Sequence, residues 1–178
     1  MFKKIKLYIS TRKWLGLLLQ ILFAVALLFA ITIWQTRHAT RGEAPDFSGT
    51  LINQNKLNLQ EYRGKPLLLH FWATWCPVCK LEQHTISSLA NDTNNSHFRV
   101  ITIASWSGSE LDITNYMRQE NLGFPVLVDD DGEIAKLYGV NGVPSSFIID
   151  SKGVIQFVEQ GYTTEIGLRL RLWWLKNT

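Results

Sequence analysis

Apolar positions in this chain form one long run and several short ones, and the two kinds predict different elements. Over residues 14–34, WLGLLLQILFAVALLFAITIW, nothing is charged and only Gln20 and Thr32 are strongly polar. A helix needs about 20 such residues, at ~1.5 Å rise each, to cross ~30 Å of hydrocarbon. Indole rings prefer the headgroup boundary, and Trp14 and Trp34 stand at the two ends of the run. No polar face interrupts it, which argues against a buried helix of a soluble domain. A cleaved signal peptide would carry an apolar core of about 7–15 residues and a small-x-small site. This run is longer, and QTRHATRGEAPDF after it offers a poor site. The pattern predicts a basic segment over 1–13, an uncleaved transmembrane anchor over 14–34 and a polar linker over 35–43.

From residue 44 the runs shorten. TLINQNKLNLQEY suggests a hairpin with a polar turn at 53–55. LLLHFW, residues 67–72, is a near-continuous apolar run of the kind found in strands covered on both faces. CPVCKLEQHTISSLA is expected as a helix, since proline is tolerated in a first turn. FRVITIAS and FPVLVD read as further strands. Between them Ser109, followed by Glu110 and Asp112, caps a helix ending near Gly123. After DDDG comes a short helix over 133–138, then SSFIID and VIQFVEQ as an antiparallel hairpin turning at Ser151-Lys152-Gly153. In the tail, Leu168, Leu170 and Leu172 alternate as in a strand. Glu165 early and Lys176 late suit helix ends, and a helix is expected. Alternating strands and helices, closed by a strand pair and a helix, predict an α/β domain over 44–178 with a mixed sheet flanked by helices.

Charge changes the picture in one respect. The net charge of +3 is not spread along the chain: Lys3, Lys4, Lys6, Arg12 and Lys13 precede the long run, and Arg37 and Arg41 follow it. Basic residues ahead of a span hold that end in the cytoplasm, which puts residue 44 onward outside. Without this region the domain holds more acid than base, so no nucleic-acid partner is expected.

The candidate chemistry lies in FWATWCPVCK, residues 71–80, which contains both cysteines of the chain. A disulfide between Cys76 and Cys79 closes a very short loop, and the stabilisation from a cross-link grows with loop length. As a staple it is poor. A structural zinc site wants about four ligands, whereas His38, His70, His84 and His97 are scattered; no metal site is expected. Two inert buried cysteines are the remaining alternative. Cys76 falls where a strand hands over to a helix, where unpaired N–H groups and the helix dipole favour a thiolate. Cys79 follows one turn later and is placed to attack a mixed disulfide formed at Cys76; the helix start is expected to expose the first thiol and bury the second. The spacing fits thiol–disulfide exchange.

FWATWCPVCK, taken with GVNGVPSSFIID, resembles the thioredoxin superfamily. More narrowly, the chain resembles the membrane-anchored TlpA/ResA/DsbE-like disulfide oxidoreductases of bacteria, with the ScsD-like branch (suppression of copper sensitivity) nearest in appearance. The resemblance runs from APDF at 44–47 to the C-terminus and includes the C-x-x-C-K-x-E form of WCPVCKLE. It implies a thioredoxin-like fold and a single-pass protein of the bacterial inner membrane, its domain facing the periplasm. It implies a monomer acting on protein thiols and disulfides, fed by a transmembrane electron donor of DsbD/CcdA type. No cofactor is implied beyond the Cys76–Cys79 disulfide itself. Pro144 matches the position held cis beside the dithiol, and the Val143 backbone would pair with a bound peptide. Trp75, Pro77 and Val78 would flank the substrate.

Two positions depart from the superfamily pattern or leave a role open. His70 stands where thioredoxin has a buried acid that takes a proton from the second cysteine, and an imidazole titrating near ~6.5 would serve. A core histidine bonded to a neighbour is the equal alternative. Glu82 matches the family's acid after the dithiol, and a solvated helix-face charge is its alternative. Pro77 and Val78 supply no cation to favour the Cys76 thiolate further, which leans toward a reductant. Two other functions stay open: a copper-handling or metal-binding thioredoxin-like module, and a thiol peroxidase. The second arises because APDF also opens peroxiredoxins, although HFWATWC supplies Thr74 without their proline.

Overall fold

The computed structural model describes residues 14–27, 30–31, 39–92 and 97–176. Residues 14–27 are helical (α1) and expose their apolar side chains, among them Trp14, Leu18, Leu22 and Phe23. Among the described residues no helix is long and apolar enough to cross a membrane. The expected anchor also takes in residues 28–29 and 32–34, which lie outside the described ones, as does the basic segment over 1–13. The chain divides into two units, residues 1–37 and 38–178.

The domain is built on a six-stranded mixed sheet. Its strands are β1 (Gly42–Glu43), β4 (Leu67–Trp72), β5 (Arg99–Ser105), β6 (Val126–Asp129), β7 (Ser145–Ile149) and β8 (Val154–Gln160), in the order β1-β8-β7-β4-β5-β6. β4, β5 and β6 run parallel, and β7, β8 and β1 add antiparallel neighbours. A separate antiparallel hairpin joins β2 (Ser48–Thr50) to β3 (Lys56–Asn58), as the polar 53–55 turn requires. The helices are α2 (Pro77–Asp92), α3 (Glu110–Gln119), α4 (Glu133–Leu137) and α5 (Glu165–Lys176). This is the expected α/β thioredoxin-like arrangement. The tail is a helix because alternate leucines are not its buried set: Leu168, Leu172 and Leu175 are buried, at helical spacing, while Leu170 is exposed.

All six residues of β4 are buried. Leu68 and Trp72 face a core completed by Ile86 and Leu89 of α2, Ile113 and Met117 of α3, and the three leucines of α5. Leu67, Leu69 and Phe71 face a second core with Ala135 of α4 and Leu57 and Leu59 of the hairpin region. Successive side chains of a strand point to opposite faces, so one apolar run feeds both layers. Burying side chains of this size contributes about 1.5–3 kcal/mol each, which makes β4 the mechanical centre of the domain.

The helix boundaries differ from the sequence expectation in small ways. Ser109 and Asp112 form a reciprocal capping box, as expected, but α3 ends at Gln119, before Gly123. Residues 42–43 were expected in the linker and instead pair with Ile155 and Val154 of β8. Two residues carry no periodicity from which to read a strand. The N-cap of α4 is Gly132 (φ 72°), which offers no side-chain cap. Asp129 caps it from the end of β6 instead. Its carboxylate accepts the N–H groups of Ile134 (2.9 Å) and Ala135 (3.0 Å) and the hydroxyl of Ser105 (2.8 Å).

Because Asp129 is buried, its loss strands three donors at once. Asp129→Ala is expected to destabilise the domain by about 3 kcal/mol, several times more than Asp130→Ala. Urea denaturation followed by circular dichroism checks this; equal effects from the two would refute it.

Candidate active site

The C-terminal end of β4 delivers the chain, through Ala73-Thr74-Trp75, to the first turn of α2. The amide of Lys80 bonds the Cys76 carbonyl (3.3 Å), which makes Cys76 the cap residue of α2. A helix leaves its first N–H groups unpaired, and a cap side chain ordinarily accepts one of them. Here the acceptor is sulfur: the Cys79 N–H points to the Cys76 Sγ at 3.1 Å. The two cysteines form a disulfide with their Cα atoms 5.3 Å apart. After reduction the same N–H and the helix dipole would favour negative charge on Cys76.

Exposure does not separate the two sulfurs, contrary to the expectation of an exposed first thiol over a buried second. Cys76 is 3% exposed and Cys79 1%. Their surroundings do separate them. Cys76 Sγ lies 3.5 Å from the Val143 carbonyl oxygen, on the segment leading to β7, and the Val143–Pro144 peptide is cis. Trp75 (62% exposed), Pro77 and Val78 form the solvent side. The predicted flanking residues are thus gathered around Cys76.

His70 and Glu82 both lie on the inner side. His70 shares the Leu68–Trp72 face of β4, and its Nδ1 is 2.9 Å from Ser146 Oγ, its register partner on β7. Burial pulls the imidazole from 6.5 down to about 3. Burial thus favours the neutral ring and moves its titration below the ordinary value at which an imidazole was expected to act. Glu82 follows Cys79 by three residues on the same face of α2 and is buried with it. Its carboxylate accepts the Thr163 N–H from the turn before α5. Burial pushes the carboxyl up to about 7, against the pull of that hydrogen bond. As a proton acceptor for a thiol, a group poised near neutrality is far better matched than an imidazole near 3.

The sequence reading missed the residues that hold this site from outside. Thr74 N–H donates to Ser107 Oγ (3.1 Å), and the Trp75 indole N–H donates to the Trp106 carbonyl (2.8 Å). Thr163 was missed as well; it enters through its backbone, which no residue type announces. Among the described residues no three His, Cys, Asp or Glu side chains gather as a metal site.

A strand-to-helix dithiol beside a cis proline, on a mixed sheet, defines a thioredoxin-like disulfide exchanger. Residues 40–158 match the model of the AhpC/TSA family. The chain belongs to that family, and within it is a thiol–disulfide oxidoreductase of the ResA/DsbE type. It is 36% identical over 124 residues to the thiol-disulfide oxidoreductase ResA of Bacillus thuringiensis subsp. konkukian, covering 69% of this chain and 71% of that one. Among solved structures, a putative thiol:disulfide interchange protein DsbE from Chlorobium tepidum superposes with a TM-score of 0.70 at 25% identity. That match covers 78% of this chain and 99% of the other. StoA from Bacillus subtilis superposes with a TM-score of 0.63 at 25% identity, over 71% of this chain and 95% of its own.

The Glu82 carboxyl gives a signed pH dependence. Folded, it binds its proton more tightly than in the unfolded chain, where it titrates near 4.5. The stability it contributes is complete below about 4.5 and is lost as pH rises through about 7. Glu82→Gln keeps an acceptor for Thr163 and cannot ionise. It is expected to match the wild type at pH 4 and to exceed it at pH 8 by about 2 kcal/mol, a value reduced for partial solvation. Urea midpoints of the oxidised proteins across pH check this; a pH-independent difference would refute it.

Proposed function

We propose that this thiol–disulfide oxidoreductase is a membrane-tethered reductant of protein disulfides, its domain on the periplasmic face of a bacterial inner membrane. The observation that carries the chemistry is the Cys79 N–H on Cys76 Sγ, beside the Val143 carbonyl. Cys76, as thiolate, attacks a substrate disulfide and forms a mixed disulfide, expelling one substrate thiolate. Cys79 loses its proton to Glu82 and attacks Cys76, closing the intramolecular disulfide and releasing the second substrate thiolate. Pro144 shapes the groove, the Val143 backbone pairs with the bound peptide, and Trp75, Pro77 and Val78 receive its side chains. His70, neutral and bonded to Ser146, is a packing residue in this scheme. The dithiol carries two electrons, so no dissociable cofactor is required. It is recharged by a transmembrane reductase of DsbD/CcdA type. The ScsD-like branch is the subgroup that this sequence favours. Pro77 and Val78, which add no cation at the Cys76 sulfur, support the reducing direction.

Cys79→Ser is expected to accumulate mixed disulfides through Cys76, and Cys76→Ser to accumulate none. Mass spectrometry of trapped complexes reads this, and equal trapping by both would overturn the assignment. In the same assay Glu82→Gln should slow release of substrate above pH 7.

The tether rests on the uncharged run over 14–34 and the basic residues ahead of it. Protease added to spheroplasts is expected to digest the domain, with residues 1–34 retained in the mature protein. A protected domain, or a mature N-terminus after residue 34, would refute the topology.

A further inference from the structure

Trp106, in the loop between β5 and α3, has φ 53°. The left-handed region is uncommon for a bulky side chain, and something must hold it there. Two contacts do. The Trp106 N–H bonds the Asp129 carbonyl at 3.2 Å. Its ring lies on the bare backbone of Gly132, where a Cβ would come within 2.2 Å of the indole nitrogen. Gly132 (φ 72°) is thus required twice, by its own conformation and by the ring above it.

The Trp106 carbonyl in this conformation accepts the Trp75 indole N–H at 2.8 Å, and the adjacent Ser107 Oγ accepts the Thr74 N–H at 3.1 Å. The two residues before Cys76 are therefore bonded to two successive residues of this loop. The loop is anchored in turn: Ser105 Oγ donates to Asp129, and Gly108 N–H donates to Asp130 at 2.7 Å. Trp75 is 62% exposed, so packing alone leaves its ring free to change rotamer; the bond to Trp106 fixes its polar end.

We propose that Trp106, seated on Gly132, is a positioning residue that presets the Trp75 indole as one wall of the surface receiving a polypeptide disulfide. The inference rests on the reading of protein disulfides as substrates. A polypeptide must lay the residues flanking its cysteine across Trp75 and Val78 to reach Cys76. A small disulfide reaches the sulfur without them. Ordering the indole before binding lowers the entropy cost for the first class of substrate alone.

Gly132→Ala tests the seat in the full chain. Two measurements are made: solvent exchange of the Trp75 indole N–H by NMR, and steady-state reduction of insulin and of bis(2-hydroxyethyl) disulfide with dithiothreitol as the two-electron reductant that regenerates the dithiol, its direct reaction with each disulfide subtracted. The indole N–H is expected to exchange at least about tenfold faster, and KM for insulin to rise about fivefold, the factor one net hydrogen bond gives. kcat and the rate toward the small disulfide stay unchanged. Unaltered indole exchange, or equal losses on both disulfides, would overturn the proposal. Should the wild type reduce the small disulfide but not insulin, the polypeptide-substrate reading falls and the proposal with it. The indole exchange would then still show whether the Gly132 seat holds Trp75. If Gly132→Ala does not fold, Trp106→Gly keeps the positive φ and the carbonyl while removing the ring, and the same outcomes apply. Trp75→Phe, which lacks the donor, should raise the insulin KM equally, with no further rise when combined with Gly132→Ala; additive effects would refute the coupling.

Discussion

Strand β4 is apolar on both faces, and a strand of that kind is stable only where two layers cover it. The remaining architecture follows from that constraint. β5 and β7 flank β4 and satisfy its backbone, α2, α3 and α5 cover one side, and α4 with the β2–β3 hairpin covers the other. A strand held this firmly ends at a fixed point, and the next helix begins there. The dithiol sits at that junction, so the rigidity of the core becomes the positional accuracy of two sulfur atoms. Reactivity is added locally, by one amide of the first helical turn aimed at Cys76.

The polar groups under the sheet show how burial divides labour between two acids of ordinary strength. His70 and Glu82 are both taken out of water, and desolvation opposes charge in each. For an imidazole this removes basicity, because the charged form is the protonated one. For a carboxyl it adds basicity and brings the group close to neutrality. The residue type alone therefore does not tell which of the two accepts a proton; the sign of its charged form does, once both are buried.

Much of this was legible in the sequence. The apolar run over 67–72, the proline that opens α2, the Ser109 cap and the Ser151-Lys152-Gly153 turn each act through their neighbours in the chain, and each element appears where those signals put it. The sulfur pair was legible from its spacing, and its Val143–Pro144 neighbour from the resemblance to the thioredoxin superfamily. What escaped was what depends on backbone groups or on distant partners. The Thr163 amide that meets Glu82, the Trp106 carbonyl that meets Trp75 and the Asp129 carboxylate that caps α4 leave no periodic trace. β1 is too short to have a pattern. The two cysteines were expected to differ in exposure, but a closed disulfide under a cis-proline segment covers both.

The brevity of β1 has a consequence for how the molecule meets others of its kind. It pairs only Gly42 and Glu43 with β8, so among the described residues β8 from Gln156 to Gln160 has no outer neighbour. A long open margin of this sort is a template on which a foreign strand could register. Here the margin carries Gln156, Glu159 and Gln160, and Glu159 is held by Arg171 of α5 at 2.7 Å. An intruding strand would have to place its own side chains beside an ion pair and two amides. The sheet is guarded by chemistry where it is not closed by structure.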